Sequence, residues 1–79
     1  MKIRVNCIAP GPVDTPMLAG WLTGDPERLA AQLKPILLGR LGTPQEIARG
    51  ALFLACDDSS FMTGSQLVLD GGATCWYGL

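Results

Sequence analysis

A rigid, proline-rich turn is the first place in the sequence where chemistry could take place. Residues 7–16, "CIAPGPVDTP", hold three prolines and one glycine in ten positions, directly after an apolar stretch. Proline restricts the backbone, and glycine lets a ligand approach the backbone closely because it has no Cβ. A stiff turn also loses less entropy when it binds a ligand. The turn is therefore a candidate binding element.

The residue types that usually hold metals are scarce. The 79 residues include no histidine, and the three cysteines, Cys7, Cys56 and Cys75, form no C-x-x-C pair. This pattern argues against a zinc site and predicts reduced, buried thiols in a cytoplasmic protein. The net charge of −1 gives no electrostatic footprint for nucleic acid. Because no stretch approaches the roughly 20 apolar residues of a membrane span, we expect neither nucleic acid nor a membrane as a partner.

The elements that must position the turn follow a strand–helix–helix–helix–strand pattern. A stretch rich in β-branched residues, 2–9, predicts a strand before the turn. Three helices and a second strand are predicted after the turn, at 16–22, 26–34, 44–56 and 66–70. Each helix begins with a capping residue followed by proline, and Thr43 with Glu46 forms a capping box. Helices that connect two strands predict a parallel arrangement and hence an α/β fold.

The long helix is apolar around most of its circumference. A stripe runs along it through Ile47, Ala51, Leu54 and Ala55, and further apolar residues widen the stripe. A helix of this kind is buried on several sides. Parallel strands also need cover on both faces, and two strands do not make a stable sheet alone. The pattern therefore predicts the edge of a larger doubly wound sheet.

Three segments together resemble the C-terminal third of a classical short-chain dehydrogenase/reductase. The segments are "IRVNCIAPGPVDTPM", "GRLGTPQEIARGALFLACDDSSFMTG" and "SQLVLDGG", in this order and at the family's spacing. The resemblance covers residues 3–72 and implies a Rossmann-type, doubly wound parallel sheet. Residues 1–79 would then be the C-terminal part of a single, incomplete domain. The resemblance also implies a full-length oxidoreductase that uses NAD or NADP to move a hydride to or from an alcohol or ketone substrate.

The resemblance assigns roles to the turn and to the helix that follows it. The implied cofactor-binding residues are Pro10, Gly11, Pro12, Val13 and Thr15. The Val13 backbone would hydrogen-bond the nicotinamide carboxamide, and the Thr15 hydroxyl would bond the carboxamide or a nearby phosphate. Thr15 could instead be a plain helix cap. Met17, Leu18 and Trp21 would form an apolar lid over the substrate, with ordinary helix packing as the alternative.

The family's catalytic and phosphate-binding signatures do not occur in these residues. The sequence contains no G-x-G-x-x-G turn, and its single tyrosine, Tyr77, has no lysine four positions later. We therefore assign no catalytic residue. The alternative to a segment of an enzyme is a non-catalytic fragment that acts only by association with full-length homologues, or that has no function.

The resemblance further implies a homo-oligomer. Family members commonly form twofold-symmetric tetramers through the matching helix and strand, here residues 44–56 and 66–70. Such a contact would place the small residues Gly50 and Ala51 close to their symmetry mates. The alternative is that another part of the domain covers the helix.

Overall fold

The computed structural model describes residues 3–75, and within them the elements occur in the predicted order. The strands and α-helices are β1 (Cys7–Pro10), α1 (Pro16–Leu22), α2 (Pro26–Leu33), α3 (Pro44–Ala55) and β2 (Gln66–Leu69). A short 3₁₀ helix, Asp57–Ser59, follows α3 directly. The predicted α/β class is confirmed.

Each α-helix begins at the residue that the sequence indicates. The side chains of Thr15, Asp25 and Thr43 accept hydrogen bonds from backbone N–H groups in the first turns of α1, α2 and α3. The Glu46 carboxylate accepts a bond from the Thr43 N–H at 3.0 Å, which completes the capping box of α3. Proline at the start of each helix costs nothing, because the first N–H groups of a helix have no partner inside it.

The two strands form a parallel two-stranded sheet. The register pairs Cys7 with Gln66 and ends with Pro10 beside Leu69. The strand predicted at 2–9 is therefore shorter than expected. Its first half pairs with the loop before β2 instead, where the Val5 carbonyl accepts a hydrogen bond from the Gly64 N–H at 2.7 Å. β2 ends one residue earlier than predicted, before a turn.

α3 covers one face of the sheet and packs closely on it through Gly50. A Cβ at Gly50 would collide with the side chain of Leu69 and would touch Leu67 and Ile8. Gly50 thus lies against the strands of its own chain, and not on the outer side where a symmetry contact was expected. The outer side carries exposed apolar residues at helical spacing, namely Ala48, Ala51, Leu52 and Ala55. Within the predicted stripe, Ile47 and Leu54 are half-buried against the sheet side, whereas Ala51 and Ala55 are exposed.

Arg4 joins the N-terminal segment to the end of α3. Its guanidinium donates to the carbonyl oxygens of Ser59 at 2.8 Å, Leu54 at 3.0 Å and Met62 at 3.1 Å. Asn6 adds two bonds to the same loop, donating to the Met62 carbonyl and accepting from the Ser65 N–H. The bond to Leu54 satisfies one of the carbonyls that the last turn of a helix leaves without a partner. The contacts of Arg4 and Asn6 also place the start of β2 beside the start of β1.

Few side chains of the described residues are buried. Ile36 is the one apolar side chain in residues 3–75 that is buried, and the molecule measures 50 × 29 × 15 Å. α1 and α2 contact each other but neither strand nor α3, so they form a projecting arm. The prediction of buried thiols is wrong for Cys7 and Cys75, which are exposed because no described element covers them.

We expect the substitution Arg4→Met to lower the free energy of unfolding by about 1.5–3 kcal/mol, the usual value for hydrogen bonds to a charged group. Methionine keeps a similar length of side chain but donates no hydrogen bond. Urea unfolding followed by circular dichroism measures the change. Arg49→Met is the matched control, because Arg49 is exposed on α3 and hydrogen-bonds through its side chain to no described residue. Equal unfolding midpoints for the two variants would contradict the prediction.

Candidate functional site

The proline-rich turn begins at the carboxyl end of β1 and is held against the end of β2. The Gly11 N–H donates to the Leu69 carbonyl at 3.0 Å. An ideal Cβ at Gly11 would lie 2.7 Å from the Cα of Asp70, closer than real side chains approach a backbone. The fold of the chain itself therefore requires glycine at this position. The contact fixes where the chain leaves the sheet.

The next part of the turn is held by Gly42, which precedes α3. The Gly42 N–H donates to the Pro12 carbonyl at 3.0 Å, and the Asp14 N–H donates to the Gly42 carbonyl at 2.8 Å. These two bonds lie on either side of Val13, which forms an isolated parallel bridge with Gly42. In such a bridge the N–H and C=O of the central residue point away from the partner. No residue in the range 3–75 bonds to these two groups of Val13.

Thr15 ends the turn and caps α1. Its hydroxyl oxygen accepts a hydrogen bond from the Leu18 N–H at 3.3 Å. A hydroxyl that accepts one bond can still donate another, so the cap leaves the Thr15 proton available to a ligand. The five residues predicted to bind a cofactor thus form one continuous turn at the carboxyl end of the sheet. Pro10 is the last paired residue of β1, and the other four follow it.

The turn borders a cavity of about 440 Å³. Pro12 is the one predicted site residue that lines it, and the first residues of α3 and the end of β2 supply other walls. At one wall the Arg40 guanidinium forms an ion pair with the Glu46 carboxylate at 2.8 Å. The hydrogen bond from Arg40, followed by the one from the Thr43 N–H, lowers the pKa of Glu46 to about 2. Glu46 is thus occupied as a structural anion.

A tight turn after β2 forms another wall of the cavity. The Asp70 carboxylate accepts hydrogen bonds from the Gly72 N–H at 2.9 Å, the Thr74 N–H at 3.0 Å and the Thr74 hydroxyl at 2.5 Å. The Gly71 carbonyl accepts a bond from the Leu38 N–H at 3.1 Å. The sequence alone predicted only a closing Gly-Gly turn at residues 71–72. The aspartate before the glycines was the available signal, since aspartate commonly bonds to the backbone two residues on.

The predicted lid residues lie on the projecting arm, and the structure does not bring them to the cavity. Met17 and Trp21 are 87% and 48% exposed, and α1 contains no buried residue. Arg28 joins the two helices of the arm, with its guanidinium 5.1 Å from the centre of the Trp21 ring and an ion pair to Asp25 at 3.1 Å. Tyr77, to which no catalytic role was assigned, lies outside the described residues.

Residues 3–75 bring together no group of three or more cysteine, aspartate or glutamate side chains suited to a metal ion. None of the helices in this range has the length and apolar character to cross a bilayer.

Comparisons with known proteins agree on one family. The sequence pattern of a family described as enoyl-(acyl carrier protein) reductase matches residues 1–74. A 3-oxoacyl-(acyl-carrier-protein) reductase of Chlamydia muridarum is 50% identical over 79 residues, covering 90% of this chain and 27% of that protein.

Solved structures show the same similarity in three dimensions. An Agrobacterium tumefaciens structure with bound NADP is 36% identical, with a TM-score of 0.84, over 92% of this chain and 29% of that one. A 3-oxoacyl-(acyl-carrier protein) reductase of Brucella melitensis with bound NAD is 42% identical, with a TM-score of 0.75, over 90% of this chain and 24% of that one. The chain spans little more than a quarter of the length of the curated relatives it matches.

Gly11→Ala should lower the free energy of unfolding by about 1–3 kcal/mol, the usual cost of forcing extra atoms into a packed site. The new Cβ would collide with the backbone of Asp70, which cannot rotate out of the way. Gly20→Ala is the matched control, because a Cβ there meets no atom within 4 Å. The control should be neutral or stabilising, since alanine favours helix more than glycine does. Urea unfolding checks both variants, and a tolerated Gly11→Ala would show that the close contact is wrong.

Proposed function

We propose, from the premise that this chain belongs to the short-chain dehydrogenase/reductase family, that it is the C-terminal part of an incomplete Rossmann-type domain. The full-length protein would be an NAD(P)-dependent oxidoreductase that transfers a hydride between nicotinamide and an alcohol or ketone carbon. This chain would contribute the turn beside the nicotinamide, the substrate lid and an oligomer surface. The open two-stranded sheet of the described residues supports its assignment to part of a larger sheet.

The orientation of the Val13 peptide groups is the observation that carries this proposal. Gly42 takes the bonds on either side of Val13, so the Val13 N–H and C=O face away from it. A carboxamide has one acceptor oxygen and one donor nitrogen, and a residue that presents one N–H and one C=O side by side can bond to both. These groups lie beyond the carboxyl end of β1, where open α/β sheets bind their ligands.

The remaining turn residues fit the same ligand. Thr15 keeps a hydroxyl proton for the carboxamide or a phosphate, and Gly11 holds the turn in place by packing closely on Asp70. The nicotinamide cofactor would supply the hydride, while Pro10, Gly11, Pro12, Val13 and Thr15 would bind and orient it. Relatives of known structure hold NAD or NADP. The choice between NAD and NADP depends on a residue that follows a different strand of such a sheet.

The arm formed by α1 and α2 is proposed to cover the substrate. Met17, Leu18 and Trp21 lie on the helix that directly follows the cofactor turn, and two of the three are exposed. The arm contacts no other helix or strand in the described range, so it can close without breaking core packing. An alcohol or ketone of small size is the substrate class that we propose.

The outer side of α3 and the edge of β2 are proposed to form a homo-oligomer interface. Ala48, Ala51, Leu52 and Ala55 make an exposed apolar stripe on α3. Val68 on β2 is also 47% exposed. Small residues on a helix allow a symmetric copy to approach closely. Cover by another part of the same domain is the competing explanation.

A non-catalytic role is the second candidate. Ile36 alone is buried among the apolar side chains of residues 3–75, which favours association with additional protein surface. A fragment of this kind would act by binding full-length homologues.

We also propose a cytoplasmic location, which the three free cysteines support.

Thr15→Val should weaken cofactor binding by about 1 kcal/mol, the net worth of one hydrogen bond, or about fivefold in Kd. The test protein is a chimera in which residues 3–75 replace the matching segment of the Chlamydia muridarum relative. Fluorescence titration with NADH and NADPH measures the affinity. Thr15→Ser should retain binding, because it keeps the hydroxyl.

Thr23→Val is the matched control for that experiment. It removes a hydroxyl that bonds to Ala19 at the end of α1, away from the turn. Unfolding is measured beside affinity, because Thr15 also caps α1. Unchanged affinity in a stably folded Thr15→Val chimera would refute the contact.

Ala51→Arg in the same chimera tests the oligomer interface. We expect a tetramer to dissociate into dimers, because the interface would have to bury an unpaired charge. Light scattering gives the mass in solution. Ala31→Arg is the control, as Ala31 is also exposed but lies on α2. A tetramer of unchanged stability in the Ala51→Arg variant would rule this interface out.

A further inference from the structure

We propose that Asp70 is a positioning residue that holds the cofactor turn and the return of the lid arm in one geometry. This inference rests on the proposed function, because it concerns the same turn. Asp70 reaches that turn along two routes, one direct and one through the segment between α2 and α3.

The direct route is the packing of Asp70 on Gly11. The missing Cβ of Gly11 would lie 2.7 Å from the Cα and 2.8 Å from the Cβ of Asp70. The Leu69 carbonyl beside Asp70 accepts the Gly11 N–H at 3.0 Å. Any change in the backbone at Asp70 therefore displaces the first residue of the turn.

The indirect route begins at the Asp70 carboxylate. Its bonds to the N–H groups of Gly72 and Thr74 fold the backbone into a tight turn. Gly71 and Gly72 adopt positive φ values of 63° and 92° in this turn, which favour glycine. The turn presents the Gly71 carbonyl to the Leu38 N–H at 3.1 Å.

The segment that contains Leu38 continues along the chain to Gly42, the bridge partner of Val13. A Cβ at Gly71 would lie 2.8 Å from the Cγ2 atom of Ile36, the one buried apolar residue of the described range. From there the chain runs to Gly42, whose N–H and C=O bond on either side of Val13. The lid arm thus leaves the sheet at Gly11 and returns at Ile36, and both residues pack against the turn that begins at Asp70.

The carboxylate is ionised when it performs this role. The hydrogen bond from the Thr74 hydroxyl, and then the one from the Gly72 N–H, lower the pKa of Asp70 below its ordinary value. An ionised carboxylate offers two oxygens that only accept, which suits three converging donors. Asparagine has nearly the same shape but carries an NH₂ group in place of one of the two accepting oxygens. Asp70→Asn therefore removes the hydrogen bonds to that oxygen with little change in volume.

The test is Asp70→Asn in the chimera of residues 3–75 with the Chlamydia muridarum relative. Steady-state kinetics should show the KM for NADH or NADPH raised about tenfold, with kcat within about twofold. This split is expected when the turn has its binding geometry in about a tenth of the molecules, since apparent affinity falls with the competent fraction. Hydrogen exchange of residues 36–39 should become faster, because Leu38 loses its partner.

Two further variants separate positioning from general stability. Arg4→Met destabilises the fold at the opposite end of the sheet, so it should leave the KM for the cofactor unchanged. Thr74→Val removes one of the three donors and should raise the KM less than Asp70→Asn does. If Asp70→Asn does not fold, Thr74→Val carries the test through the same KM and hydrogen-exchange measurements.

The outcomes distinguish this inference from the proposed function. A raised KM with faster exchange at 36–39 in the Asp70 or Thr74 variant, but not in Arg4→Met, supports the positioning role. An unchanged KM in both Asp70→Asn and Thr74→Val overturns it, even if Thr15→Val weakens cofactor binding and so supports the turn itself. An equal rise in KM for Arg4→Met also overturns it, because general destabilisation would then explain the effect. If Thr15→Val has no effect while Asp70→Asn raises the KM, the proposed Thr15 contact is wrong and the positioning role of Asp70 is supported.

Discussion

The hydrogen bonds of the Arg4 guanidinium are the interactions on which the rest of the structure depends. The guanidinium binds carbonyl oxygens from the end of α3, from the 3₁₀ helix and from the loop before β2. A parallel pair of strands requires the chain to return to the starting end of the sheet. Arg4 marks that end, three residues before the pairing of Cys7 with Gln66 begins. Its positive charge also complements the negative end of the α3 dipole.

The opposite end of the sheet combines a rigid part with a free part. The turn from Pro10 to Thr15 is fixed on both sides, by the end of β2 and by Gly42. The arm that follows contacts no other helix or strand in the described range. A fixed turn is preorganised for binding and loses little entropy when a ligand arrives. A free arm can move over the ligand, so the two parts suit the two roles that we propose for them.

The turn that we propose as the binding site could be predicted from the sequence, because its residues are neighbours in the chain. Residues 10–15 form one turn, and the Thr15 cap follows from local chemistry alone. The roles of Gly42 and Asp70 could not be predicted, since they act on the turn across 28 or more positions. A lid over the substrate was predicted, but the arm is attached only at its ends, so the local sequence pattern does not fix the arm's orientation.

The sequence by itself determined where the helices begin and that the strands run parallel. Proline and capping groups act within one helical turn, so Thr15 and Thr43 set their helix starts whatever surrounds them. Only the tertiary structure decided which side of α3 is covered and where β1 begins. Gly50 faces inward because a sheet lies against it, and residues before Cys7 leave the ladder because Arg4 binds a loop more than 50 positions away. Contacts of such long range depend on the path of the whole chain, and no local pattern encodes that path.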